Sequence, residues 1–382
     1  TGVTANVRRG SCDDALANPA TTLGELAEMS GMATGIVSTA RITHATPSSV
    51  YAHVTERNWE YNDKLPPSDQ GKCKDIAAQL IDFPFGDGID VALGGGRRNF
   101  LNVKDDDPED EGKKGVRTDG RHLINEWAAK SNNHVVIIDQ AGFDGLNVAS
   151  SPKVLGLFSR SHMKYEADRA SDKGGEPSIA EMTAKAIEIL SQNENGYFLM
   201  VEGGRIDHAN HASNAYRTLT DGQAFNDAVR VAREMTKTSD TLIIVTADHG
   251  HQMTMAGYAQ RGNPILGLVM DINKDGSPSD KPSLGKDGKP YTVISFSNGS
   301  ASPFNKDDTP VVRPDLTNVD TQAKDFKQAA LVPMGSETHG GQDVGIYASG
   351  PKAYLIGGVV EQNYIFHVME HALDLRNRAG AK

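Results

Sequence analysis

The stretch Val201-Glu-Gly-Gly-Arg-Ile-Asp-His-Ala-Asn-His211 decides how the rest of the chain is read, because it ends an apolar run in two carboxylates and two imidazoles. Residues 197–201 are short and apolar enough to be a buried strand, and Gly203-Gly204 breaks that strand where Glu202 can face a crevice. In open α/β sheets, ligands sit outside the carboxyl ends of the strands. If the chain then turns helical, Asp207 and His211 stand on one helix face and can close on a single ion. Carboxylate with imidazole is a donor set that suits zinc. The competing reading is a solvated polar loop.

A second run weighs against that loop. Thr241-Leu-Ile-Ile-Val-Thr-Ala-Asp-His-Gly-His251 again ends an apolar strand pattern in acid and imidazole, at Asp248, His249 and His251. A further histidine lies in Glu337-Thr-His339-Gly-Gly, a polar loop ahead of another apolar segment. At these residues the chain closely resembles the alkaline phosphatase family, whose zinc motifs have the forms VEGGRIDH and VTADH and stand here at 201–208 and 245–249. The resemblance runs the length of the chain, through Ser38-Thr-Ala-Arg-Ile-Thr-His-Ala-Thr-Pro47, Tyr51-Ala-His-Val-Thr-Glu-Arg57 and Leu93-Gly-Gly-Gly-Arg97. Its wording is closer to the animal-type enzymes than to the enterobacterial ones.

Outward from these motifs the pattern is regular. Thr22-Leu-Gly-Glu25 has capping-box spacing and opens a helix to about Gly31, followed by a strand over 34–38. Helix then strand recurs at 75–81 and 89–93, and again at 122–130 and 134–138. Ser178 and Glu181 cap the next helix, whose Ile179, Met182, Ala186, Ile189 and Leu190 keep helical spacing up to Asn195-Gly196. Such alternation predicts an α/β fold, a doubly wound, mostly parallel sheet with helices on both faces. A single crossover helix around Phe225, Ala228, Val229 and Ala232 joins the two motif-bearing strands, which are therefore expected close together in one sheet.

From 262 to 332 the composition shifts to Gly, Pro, Asp and Lys with short strand runs such as 291–297. The expected organisation is a core over 1–261, an insertion over 262–332, and the core continued over 333–382 with runs at 345–348 and 353–357 and an amphipathic helix over 362–375. In the resembling family, this position carries a small crown region at a dimer interface, so the resemblance implies a crown-like insertion and a homodimer. Asp271-Ile-Asn-Lys-Asp-Gly276 imitates the first half of a calcium loop, but the loop's last ligand position is Pro282 instead of Glu. Gly94-Gly95-Gly96 lacks the continuation of a phosphate-cradling motif and reads as a tight turn.

A chain of 382 residues with 38% hydrophobic content can bury a sizeable core. Its net charge of −11 would be repelled by a phosphate backbone or an anionic membrane surface, so nucleic acid is not an expected partner. No run approaches the ~18 uncharged apolar residues of a membrane helix, nor is there a secretory-signal pattern. The two cysteines, Cys12 and Cys73, are by themselves compatible with free thiols or with a bridge. The resemblance implies the bridge, and a bridge implies an oxidising, periplasmic or secreted location.

The resemblance also implies the chemistry: hydrolysis of phosphate monoesters with broad specificity, using two Zn2+ and one Mg2+. It gives Asp207, His211 and His339 to one zinc, Asp248 and His249 to the other, and Glu202 and Thr46 to magnesium. Arg57 matches the arginine whose planar fork grips phosphate, and His44 and His208 stand where animal-type members have histidines beside the catalytic metals. His251 is expected to orient a ligand from behind. The animal-type calcium ligands are not recognisable around Phe158-Ser159. The family's nucleophilic serine, in a DSAxTAT-like motif, and a bridging aspartate fall upstream of the point matching Thr1. By this reading Thr1 to Lys382 alone binds about one zinc and turns over esters negligibly. A phosphodiesterase or sulfatase-like relative, or an inactive metal-binding fragment, are the alternatives.

Overall fold

The computed structural model describes residues 2–4, 6–302 and 313–380. Its contacts divide the chain into two units, one of Thr1–Gly204, Ala224–Val245 and Tyr347–Lys382, the other of Arg205–Gln223 and Thr246–Ile346. The second unit holds the 262–332 stretch together with the polar ends of both motifs, 205–211 and 246–251, and with His339.

Five parallel strands make the central sheet of the first unit: β1 (Ala33–Arg41), β2 (Val91–Gly95), β3 (His134–Ile137), β4 (Lys153–Ser159) and β5 (Tyr197–Glu202), in the order β3-β4-β2-β1-β5. Because successive side chains point to opposite faces, each inner strand feeds two cores. Ile36, Ala92, Leu155 and Leu157 pack with Ile76, Leu80, Leu123 and Trp127 from helices Ile76–Ile81 and Leu123–Ala128. Val37, Val91, Leu93, Val154 and Phe158 pack with Met182, Ala186 and Leu190 of helix Ile179–Leu190 and with Ala228. This is the doubly wound α/β arrangement the alternation predicts. Both expected capping boxes are formed, Thr22 with Glu25 and Ser178 with Glu181.

One sequence expectation is corrected. The strand ending in the second motif, β6 (Ile243–Thr246), does not join the central sheet but pairs with β14 (Ile346–Ser349). Residues 353–357 form a single 3-10 turn, Ala353–Leu355, because Lys352 enters it at φ 65°, a left-handed conformation that ends extended pairing. The last helix stops at Leu373, where Asp374 turns left-handed at φ 51° before a short helix Leu375–Arg378. Among the described residues β5 is thus the edge of the central sheet, and an apolar cavity of about 850 Å3 lies between its Tyr197, Leu199 and Val201 and the Leu242, Ile244 and Val245 of β6 and its approach. Cys12 and Cys73 form a disulfide, as the resemblance implies. No helix of the described residues is long and apolar enough to cross a membrane.

In the second unit, β11 (Ile294–Gly299) is flanked by β8 (Met253–Met255) and β12 (Ala330–Pro333), over a small core of Ala215, Ile294, Phe296 and Ala330. The calcium-like stretch is the turn of the hairpin β9 (Met270–Ile272) and β10 (Pro278–Pro282). There the Asp275 carboxylate is taken up by the N–H and hydroxyl of Ser277. A two-residue ladder, β7 (Gly250–His251) with β13 (His339–Gly340), sets His251 opposite His339.

Candidate metal centre

The sequence places the donors by two local devices. After β5, Gly203-Gly204 turns the chain into helix Arg205–His211; a Cβ on Gly204 would lie 2.8 Å from Ala40 Cβ and 3.0 Å from Glu202 Oε2, so the turn is too tight for a side chain. Helical spacing then stacks Asp207 under His211, with Asp207 Oδ1 3.2 Å from His211 Nε2. The second device is the β7/β13 ladder, whose glycines leave room for Gln342: a Cβ on Gly250 or Gly340 would lie 2.1 or 2.0 Å from its amide.

These devices converge on one oxygen. Around Asp207 Oδ1 stand the Nε2 atoms of His251 at 2.9 Å, His211 at 3.2 Å, His339 at 3.4 Å and His249 at 3.9 Å. Asp207 Oδ1 and His251 Nε2 are both buried without a properly directed hydrogen bond. His211 Nε2 and His339 Nε2 face each other at 3.2 Å, and the His249 and His339 rings stack at 3.5 Å. Asp207 with His211 and His339, and Asp207 with His249 and His251, each bring their ligand atoms within 4.8 Å of one another. A buried carboxylate oxygen ringed by imidazole nitrogens, none of them in properly directed hydrogen-bond geometry, fits a divalent metal ion. Burial alone would raise the Asp207 pKa, but the close approach of His251 and the charges of His211 and His251 hold it far below the usual carboxylate range. Burial lowers His251, and its contacts with Asp207 and Glu337 more than reverse this. Burial and the neighbouring His249 lower His339.

Glu337 is the functional residue that sequence reasoning passed over. Its side chain is fully buried; Oε2 lies 2.7 Å from His251 Nδ1, and Oε1 accepts the Gln252 N–H at 2.5 Å. Its backbone carbonyl lies 2.6 Å from His211 Nδ1. One residue thus fixes two imidazoles through Nδ1 and leaves both Nε2 atoms turned toward Asp207. The available signal was an acid inside the motif that carries His339.

The remaining sequence-predicted residues lie as follows. Asp248 is mostly exposed, its Oδ2 3.5 Å from His249 Nε2 and outside both clustered sets. His208 is bonded through Nδ1 to Arg205 on its own helix at 2.9 Å. In the first unit, Glu202 pairs in register with Ser38, whose hydroxyl donates to Glu202 Oε2 at 2.5 Å while accepting the Ala40 N–H at 2.9 Å. Thr46 sits in the short helix Ala45–Ser48, which His44 precedes, and Arg57 reaches His44 Nε2 at 3.2 Å.

An α/β fold together with a carboxylate–imidazole cluster that could hold a divalent ion points to a class, the metal-dependent enzymes of the doubly wound type. The family model described as "Alkaline phosphatase" matches residues 1–375, and the chain belongs to the alkaline phosphatase family. It is similar to the tissue-nonspecific alkaline phosphatase isozyme of Gallus gallus, 40% identical over 382 aligned residues covering 97% of this chain and 69% of that protein. The alkaline phosphatase of Gadus morhua is 38% identical over 97% of this chain and 75% of its own length. Among solved structures, the Thermus thermophilus alkaline phosphatase matches 98% of this chain and 78% of its own at a TM-score of 0.64 and 24% identity, which supports the fold. The chain is accordingly an alkaline phosphatase, a phosphoric monoester hydrolase.

Proposed function

We propose a broad-specificity phosphomonoesterase that uses two zinc ions and one magnesium and passes through a phosphoserine. The observation that carries the metal reading is Asp207 Oδ1, buried, without a properly directed hydrogen bond and ringed by four imidazole nitrogens. Asp207, His211 and His339 would hold one zinc, Asp248 and His249 the second, and Glu202 and Thr46 the magnesium. Bound zinc supplies a Lewis acid for the leaving oxygen and lowers the pKa of water. Ser38, whose hydroxyl accepts the Ala40 N–H and donates to Glu202 Oε2, would aim that carboxylate. His251, held by Glu337, fixes the rotamer of Asp207. Arg57 would grip two phosphate oxygens, with His44 and His208 near the reacting group. The disulfide supports a periplasmic or secreted location, and a homodimer through the crown-like insertion completes the proposal.

The deciding experiment compares hydrolysis of an aryl phosphate monoester with that of the aryl diester by protein loaded with zinc and magnesium. Monoester turnover that a chelator abolishes is expected. A preference for the diester would overturn the reading.

A further inference from the structure

The imidazoles around Asp207 are held in different ways. His211 and His251 are fixed through Nδ1 by Glu337, and His249 Nδ1 faces the Gly250 carbonyl at 3.2 Å. His339 has no such support: among the described residues its ring makes a single hydrogen-bond contact, Nε2 with His211 at 3.2 Å. A ring that nothing ties from behind takes its position from its own backbone. That backbone belongs to the β7/β13 ladder, and a pair of strands with two residues each is marginal by itself.

Two glutamines close the ladder. Gln252 Nε2 donates to the His339 carbonyl at 3.1 Å, and Gln342 Nε2 donates to the His251 carbonyl at 3.2 Å. The arrangement is reciprocal, since each histidine has its carbonyl taken up by a side chain that follows the other histidine in sequence. Gln252 is itself anchored: its N–H donates to Glu337 Oε1 at 2.5 Å, and its carbonyl accepts the Ser297 N–H at 2.9 Å. Successive residues of a strand face opposite sides, so Gly250 and Gly340 leave bare the face behind the two imidazoles. The Gln342 amide lies on that face, where the Cβ atoms of those glycines would be. A glutamine amide offers two N–H donors, which suits it to carbonyls that so short a ladder would otherwise leave to water. All of these residues belong to the second unit.

We propose that Gln252 and Gln342 are positioning residues of the metal centre, which clasp the His251–His339 pair by its two backbone carbonyls and so keep both Nε2 atoms turned toward Asp207. Those nitrogens lie 2.9 Å and 3.4 Å from Asp207 Oδ1, and a slip of the ladder by one residue would carry one of the rings to the opposite face. The proposal rests on the reading of Asp207 and its imidazoles as a metal site.

Zinc affinity, measured by competition with a chromophoric chelator in the wild type and in the double variant Gln252→Met, Gln342→Met, tests this. Methionine keeps the length of the side chain and removes the amide donor. The double variant is expected to bind zinc about tenfold or more weakly, in the range seen when a support behind a metal ligand is lost. With Co2+ in place of Zn2+ its visible absorption, which follows coordination geometry, should differ from that of the wild type. In the metal-free protein, hydrogen exchange over 250–252 and 338–340 should be faster, while the urea midpoint stays that of the wild type. Wild-type zinc affinity with a wild-type cobalt spectrum in the double variant would overturn the proposal. So would a loss of affinity that comes with a lowered urea midpoint and an unchanged cobalt spectrum, because the amides would then serve general stability only. Failure of the metal reading looks different: a wild type that takes up no zinc would overturn that reading, and this proposal with it.

Discussion

At the scale of single residues, the candidate donors could be named from the sequence and their supports could not. Asp207, His211, His249 and His339 stand in motifs whose residue types announce metal chemistry, and His251 was expected only behind a ligand. Glu337 looks like any loop acid until the fold brings it 2.7 Å from His251, across 86 residues of sequence. Replacing Glu337 by Gln should weaken zinc binding by about 10–100-fold, the usual effect of losing a partner behind a ligand, and competition with a chromophoric chelator measures it. His339→Ala should reduce the zinc found per chain by elemental analysis while the circular dichroism spectrum stays unchanged, because that side chain is nearly half exposed. A third consequence concerns buried acids away from the centre. Burial pushes Glu176 and Glu28 up to about 8 from an ordinary value of 4.5. Between those values the folded chain keeps protons that the unfolded chain has released, so stability falls as pH rises from about 4.5 to about 8. Urea midpoints across that range should decline, and Glu176→Gln should flatten part of the slope.

At the scale of elements, capping boxes and helical periodicity were readable because they are local. β4 was not: Gly156 interrupts its apolar run and reads as a breaker, yet it is there because a Cβ would lie 2.6 Å from Leu93 Cδ2 on the neighbouring strand. The pairing of β6 was also beyond the sequence, since strands joined by one helix are commonly neighbours and nothing local selects β14 as its partner instead. Helix Ile76–Ile81 shows how long-range charge fixes an element. Asp75 caps it by accepting the Ala78 N–H at 3.0 Å and receives both terminal nitrogens of Arg117 at 2.9 Å, with both side chains buried. Arg117→Leu would leave that carboxylate buried and unpaired, so a loss of about 3–5 kcal/mol is expected from urea unfolding. A loss below about 1 kcal/mol would mean that the cap alone neutralises Asp75.

At the scale of the whole molecule, the disulfide is the one covalent constraint, joining residues separated by 61 in sequence. Loop-closure entropy puts its contribution at about 4 kcal/mol, so thermal unfolding with and without reductant should differ clearly. The resemblance supplied this pairing; composition did not. One further property follows from β5 standing at the edge of its sheet beside an apolar cavity. An extended strand with a free hydrogen-bonding side and apolar neighbours is a template for any other chain that is still partly unfolded. Refolding from denaturant should therefore be a contest between first-order closure and second-order association, with a yield that drops steeply as protein concentration rises and recovers on dilution.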